Sequence, residues 1–186
     1  MVELLQPPVS TRRHPNLLLH YGAKAVERGD ITSVSTPRAT ETWTPIPHME
    51  LIRRVEKTLA ANKLTIGSQA HSLSHEGMRY FGLMEIQGRA TDEDYCWVLG
   101  LRNSHDKTFP AGIVAGSSVF CCDNLAFSGE VKIARKHTRF ITRDLPAVVQ
   151  SAVGKLMDRW HHQDRRLSAY KLASLDDRAA HDLVMA

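Results

Sequence analysis

Three stretches of this chain carry side chains able to do chemistry. In VFCCDNLAFSGEVKIARKHT, residues 119–138, the thiols of Cys121 and Cys122, the carboxylate of Asp123 and the imidazole of His137 are donor types for zinc, or for a Cys–His nucleophile built on Cys122 and His137. In LRNSHDK, residues 101–107, a cation, an amide, a hydroxyl, His105 and Asp106 sit together. They are the material of a polar site, or of half a metal site through His105 and Asp106. The third stretch is a run of charge: Lys132, Arg135, Lys136, His137, Arg139 and Arg143 fall within twelve residues, a density suited to phosphate contacts.

Each reading has a plainer competitor. Structural zinc sites usually pair two half-sites such as C-x-x-C with H-x-x-x-H, and the cysteines here form no C-x-x-C. Adjacent cysteines in a strand point to opposite faces, and no glycine elbow or oxyanion-hole motif accompanies Cys122. Buried reduced cysteine in a core strand is the simpler account, and His105, Asp106, Asp123 and His137 remain as the weaker metal alternative. The 101–107 stretch reads first as a hairpin turn, since Asn, Ser, Asp and Lys are ordinary turn residues. The basic run is balanced between a phosphate-facing edge and a solvated face. In RWHHQDRR, residues 159–166, two adjacent histidines point about 100° apart on a helix and make poor co-ligands. Walker, dinucleotide-binding, zincin and serine-hydrolase signatures are all missing, which removes most enzyme classes with strong local motifs.

The elements that must position these residues follow from hydrophobic period. Residues 1–45, rich in Pro, Thr and Ser, predict an irregular arm with one short helix near Ala23 to Arg28. Met49, Ile52, Val55 and Leu59 mark a helix over 49–63, with Arg53, Arg54 and Lys57 off the apolar stripe. Alternation then predicts strands over 65–74, 79–87, 95–102, 111–122 and 130–134, the first two joined by the Gly-bearing loop SHEGMR. From Asp144, read as an N-cap with Pro146 in the first turn, a sustained stripe of Leu145, Val149, Val153, Leu156 and Trp160 predicts a long helix. SLDD at 174–177 predicts the start of another. The expectation is an α+β fold: an antiparallel sheet of four to five strands, with an N-terminal helix and a long C-terminal helix packed on one face. The chain divides into an arm (1–45), a helix-plus-sheet core (46–142) and C-terminal helices (143–186).

At 186 residues, with 42% hydrophobic and 24% charged residues, the chain is long enough for one well-packed domain. A net charge of +4 leans mildly towards a polyanionic partner. No apolar run approaches a membrane span, and the N-terminus lacks the basic-then-apolar order of a secretory signal. A cytoplasmic protein without a cofactor is expected.

YGAKAVERGDITSVSTPRATETWTPIPH, LGLRNSHDKTFPAGIVAGSSVFCCDNLAFSGEV, RKHTRFI and LDDRAAHDL resemble a family of phage and plasmid proteins, the domain of unknown function 932. The likeness runs from Tyr21 to Ala186. Relatives continue into a helical region with a tryptophan- and asparagine-bearing motif that is absent here, so the chain resembles a shortened member. Residence on mobile elements implies business with DNA. The element order is also similar to that of single-strand annealing proteins, which assemble into rings, so a homo-oligomer is compatible with the analogy. The leading expectation is a non-enzymatic protein that binds DNA as single strands or ends. Lys132, Arg135, Lys136 and Arg139 would meet phosphates, Arg102, Asn103 and Lys107 would complete the groove, and Tyr80 or Trp97 would stack on bases if exposed. The alternatives are a protein-binding anti-defence or regulatory module and a metal-dependent nuclease.

Overall fold

A computed structural model describes residues 23–87, 95–119, 128–174, 176, 178 and 181. Its centre is a curled antiparallel meander of six strands in chain order: β1 (Lys24–Val26), β2 (Thr65–Ser74), β3 (Arg79–Gln87), β4 (Tyr95–Ser104), β5 (Ala111–Val119) and β6 (Ser128–Arg135). Beside it, among the described residues, lie the helices α1 (Arg28–Ser33), α2 (His48–Ala61) and α3 (Ile141–Leu172).

The strands form where alternation places one apolar row on a single face. Tyr80, Met84 and Ile86 of β3, Trp97, Leu99 and Leu101 of β4, and Ala111, Ile113 and Ala115 of β5 all enter one core. Helical spacing supplies the other side: Leu51, Ile52, Val55 and Leu59 from α2, and Ile141, Leu145, Val149, Val153, Leu156 and Trp160 from α3. Trp160 meets Trp97 with ring centroids 5.0 Å apart and is the last buried residue of its helix among the described side chains. Beyond it the helix runs on for about 18 Å, with Tyr170 and Leu172 exposed. On the opposite sheet face Ala70, Leu83 and Val98 form a smaller cluster.

The sequence expectations need three corrections. The sheet has six strands rather than four to five, because the arm is not irregular throughout: Lys24–Val26 pairs with His71–Leu73, and the helix follows it at Arg28–Ser33 instead of covering Ala23 to Arg28. A three-residue edge strand has no alternation of its own to read, and only the partner defines it. The long helix starts at Ile141, so Asp144 sits inside the first turn and Pro146 inside the helix. Asp144 is held there by ion pairs to Arg135 and Arg143 rather than acting as a cap. The predicted helix at 174–177 and the strand end at 120–122 fall wholly or partly outside the described residues.

Two polar ties lock the layers. Arg28 of α1 donates to both carboxylate oxygens of Glu56 on α2, and Gln69 of β2 accepts from Arg28 at 3.1 Å and donates to Glu56 at 3.0 Å. Deeper, His71 Nδ1 lies 2.9 Å from the Tyr80 hydroxyl. Burial raises the Tyr80 pKa and lowers that of His71 to about 4, so the pair meets as a neutral phenol and a neutral imidazole. The Tyr80 side chain reaches this partner by lying along its own strand over Gly82, which faces His71 in the sheet register. A Cβ at Gly82 would stand 1.9 Å from the Tyr80 oxygen. Glycine is required there by the neighbour, not by backbone freedom. Gly82→Ala should therefore cost ~1–3 kcal/mol of stability in denaturant unfolding. Gly82→Ala combined with Tyr80→Leu should cost less than the sum of the two single changes, since removing the ring removes the clash.

Candidate functional site

The residues first suspected of metal or nucleophilic chemistry are dispersed. Cys121, Cys122 and Asp123 lie outside the described residues. His105 and Asp106 leave the end of β4 in opposite senses. His105 is buried and donates from Nε2 to the Ile46 carbonyl at 2.8 Å. Asp106 accepts from Arg79 Nε at 2.6 Å and from the Thr108 backbone N–H at 3.0 Å. Burial opposes ionisation of Asp106, but the bonds from Thr108 and Arg79 prevail and hold its pKa at about 2. Among the described residues no three His, Cys, Asp or Glu side chains are grouped to hold a metal ion.

The histidines instead build a buried polar tie at one end of the sheet. His48, at the first turn of α2, stacks on His105 with centroids 3.9 Å apart and planes 7° from parallel. Its Nε2 donates to the Gly77 carbonyl at the β2–β3 hairpin at 2.9 Å, which leaves Nδ1 to accept from Asn103 Nδ2 at 2.9 Å. Asn103 Nδ2 also donates to the Ile46 carbonyl. Asn103 is fully buried and so does not line a surface groove, which corrects its expected role. It reads as a turn residue in sequence because its partners, Ile46 and His48, lie more than fifty positions away. Tyr80 and Trp97, 1% and 3% exposed, are interior and cannot stack on bases.

Burial pulls the His48 pKa to about 4, with the neighbouring His105 adding to the shift, and burial likewise lowers His105 and His137. The unfolded chain binds these protons near pH 6.5 while the fold resists them, so the unfolded state carries more protons in between. The stability they contribute is complete above about pH 6.5 and is lost as the pH falls towards 4. The denaturant midpoint should fall over that window, before Asp106 and Asp144 begin to protonate. His71→Asn should flatten the fall relative to the parent.

The basic run leads to a different kind of place. Between β6 and the first turns of α3 runs an open groove of about 610 Å³, with Ile133, Ala147 and Val148 as apolar wall and Arg135, Arg143 and Lys155 as cations. Asp144 is the one carboxylate among its lining residues; hydrogen bonds from Arg143 and Arg135 lower its pKa despite some desolvation. Lys136 and Arg139 are exposed on the connection into α3. Lys132 faces Val114 in the register, and its side chain lies outside the described set. Just before α3, Phe140 is 42% exposed, with the guanidinium carbons of Arg139 and of the groove residue Arg143 each 4.6 Å from its ring centroid.

Lys107 reaches the same neighbourhood from the β4–β5 loop. Its Nζ lies 4.9 Å from the centre of the Trp43 ring, and the His137 ring is 6.3 Å from Trp43. The Thr44 N–H donates to the His137 carbonyl at 3.2 Å, so residues 43–47 run as a strap between the loop and the basic run. Arg102 does not join them: it lies on the opposite sheet face, beside Gly112 and over the Phe109 ring. Arg53 and Lys57 are exposed on α2, which packs against β2 and β4 and is separated from the groove by α3. Sequence reasoning overlooked Trp43, Phe140 and Lys155. The legible signal was RFITR, an aromatic residue set between arginines.

Neither a family model, nor a curated protein, nor a solved structure matches the chain.

Proposed function

We propose that this chain is a non-enzymatic DNA-binding protein of phage or plasmid type that takes single strands or ends along the β6–α3 groove. The observation that carries the reading is the groove itself: Arg143 and Lys155 line it, Lys136 and Arg139 flank its approach, and its wall is apolar. Cations alone would suit any polyanion. An apolar wall has no use for a phosphate backbone and does suit the faces of unpaired bases. The first turn of α3 adds the positive end of its dipole to the same region. The resemblance to mobile-element proteins supports DNA as the polyanion.

Phosphate contacts by Lys136, Arg139, Arg143 and Lys155 predict that log affinity for a labelled oligothymidylate falls with log salt at a slope of about −3. Arg143→Ala with Lys155→Ala should reduce the magnitude of that slope by about 1.4. Fluorescence anisotropy across a salt series measures both. No binding at low salt, or affinity indifferent to salt, would sink the reading. Asp144→Asn removes the groove's carboxylate and frees two arginines from their ion pairs, so it should tighten binding several-fold at low salt.

A further inference from the structure

Most of the aromatic side chains described are interior or far from the groove. Tyr80, Trp97 and Trp160 are buried. Phe109 pairs with Arg102 on the other sheet face. Tyr170 is exposed on the far end of α3, about 43 Å along the helix from its first residue. Two rings remain beside the basic run, and each carries a cation. Phe140 has Arg139 and Arg143 at 4.6 Å, and half-buried Trp43 has Lys107 at 4.9 Å.

We propose that Trp43 and Phe140 are platforms on which unpaired bases stack, and that the cations resting on them in the free protein are the ones that hold the flanking phosphates. This rests on the reading of the groove as a DNA site, and adds what distinguishes single strands from duplex. A cation over a ring at a wet surface is weakly held, so it can exchange the ring for a phosphate while a base takes its place. Ring and cation thus form a ready-made unit for one nucleotide, hydrophobic face and counter-charge together. Paired bases are already stacked on each other and offer a protein only their edges and phosphates, so a duplex cannot use such units.

Both rings are held by the fold. Phe140 is the residue that opens α3, with its carbonyl accepting from the Asp144 N–H at 3.0 Å. Trp43 is fixed through its own carbonyl, which accepts from the Thr40 N–H at 2.8 Å, and through the neighbouring Thr44 N–H to the His137 carbonyl. The His137 ring stands 6.3 Å from Trp43, and Phe140 follows three residues later, a reach of at most about 11 Å. The platforms are therefore within a few nucleotides of each other, with Lys136 and Arg139 along the connection between them.

The test titrates the full chain at low salt with an oligothymidylate and with an abasic oligomer of equal length, reading anisotropy and tryptophan emission. Trp97 and Trp160 are buried, so Trp43 is the tryptophan positioned to report stacking. The thymidylate should bind tighter and quench emission; the abasic chain should bind without quenching. Phe140→Leu should weaken thymidylate binding by roughly five- to a hundredfold and leave abasic binding unchanged. Phe140→Trp should restore affinity and add quenching. Trp43→Leu should abolish most of the parent's quenching. If that variant fails to fold, the two Phe140 variants decide alone. Equal affinity for both probes, or thymidylate binding untouched by Phe140→Leu, would overturn the platforms while salt-dependent binding kept the DNA reading. Failure of both probes to bind would overturn both.

Discussion

The Ile46 carbonyl is buried at one end of the sheet and accepts two hydrogen bonds, from Asn103 Nδ2 at 2.9 Å and from His105 Nε2 at 2.8 Å. Much of the surrounding arrangement depends on that single oxygen. An unpaired buried carbonyl is costly, and its two donors come from the end of β4 and the loop that follows. They fix where the chain enters α2. The same entry fixes His48, which bonds the β2–β3 hairpin on one side and Asn103 on the other. The strap before it reaches the basic run through Thr44 and His137. Four connections that are distant in sequence are thus indexed to one acceptor.

That tie gives the polar interior and the basic surface separate roles. Burial lowers the pKa of the interior histidines, and the ring nitrogens of His48, His71 and His105 that are bonded meet carbonyls, an amide and a phenol. The arginines and lysines around α3 stay in water, and Asp144 holds two of them with ion pairs that are screened and exchangeable. One group sets geometry and the other presents charge. Phe140 and Trp43 lie on the boundary between them.

The sheet was largely legible in the sequence, because apolar rows recur in 79–87 and 95–102 and the His75–Gly77 turn interrupts the first pair of strands with three successive positive-φ residues. The two longer helices, α2 and α3, were legible from their stripes. What escaped was set by non-local partners. Lys24–Val26 is a strand only because β2 is beside it. Asn103 looked like a surface amide because nothing nearby in the chain announces Ile46. Arg102 and Lys107, five residues apart, go to different faces because the strand ends between them. Of the basic run, Lys136 and Arg139 were readable as exposed charge, whereas the groove needed Lys155, twelve residues further along the same helix as Arg143, to appear.

Tyr80 and Gly82 form a unit whose members cannot drift independently. The phenol occupies the space a side chain at position 82 would need, and it does so in order to reach the imidazole across the strand pair. Tolerated change at one site is therefore conditional on the other. A chain of this fold with a bulkier residue at 82 is expected to have surrendered the tyrosine at 80, and with it the polar character of the residue opposite. In descent, these three positions would be inherited as one character.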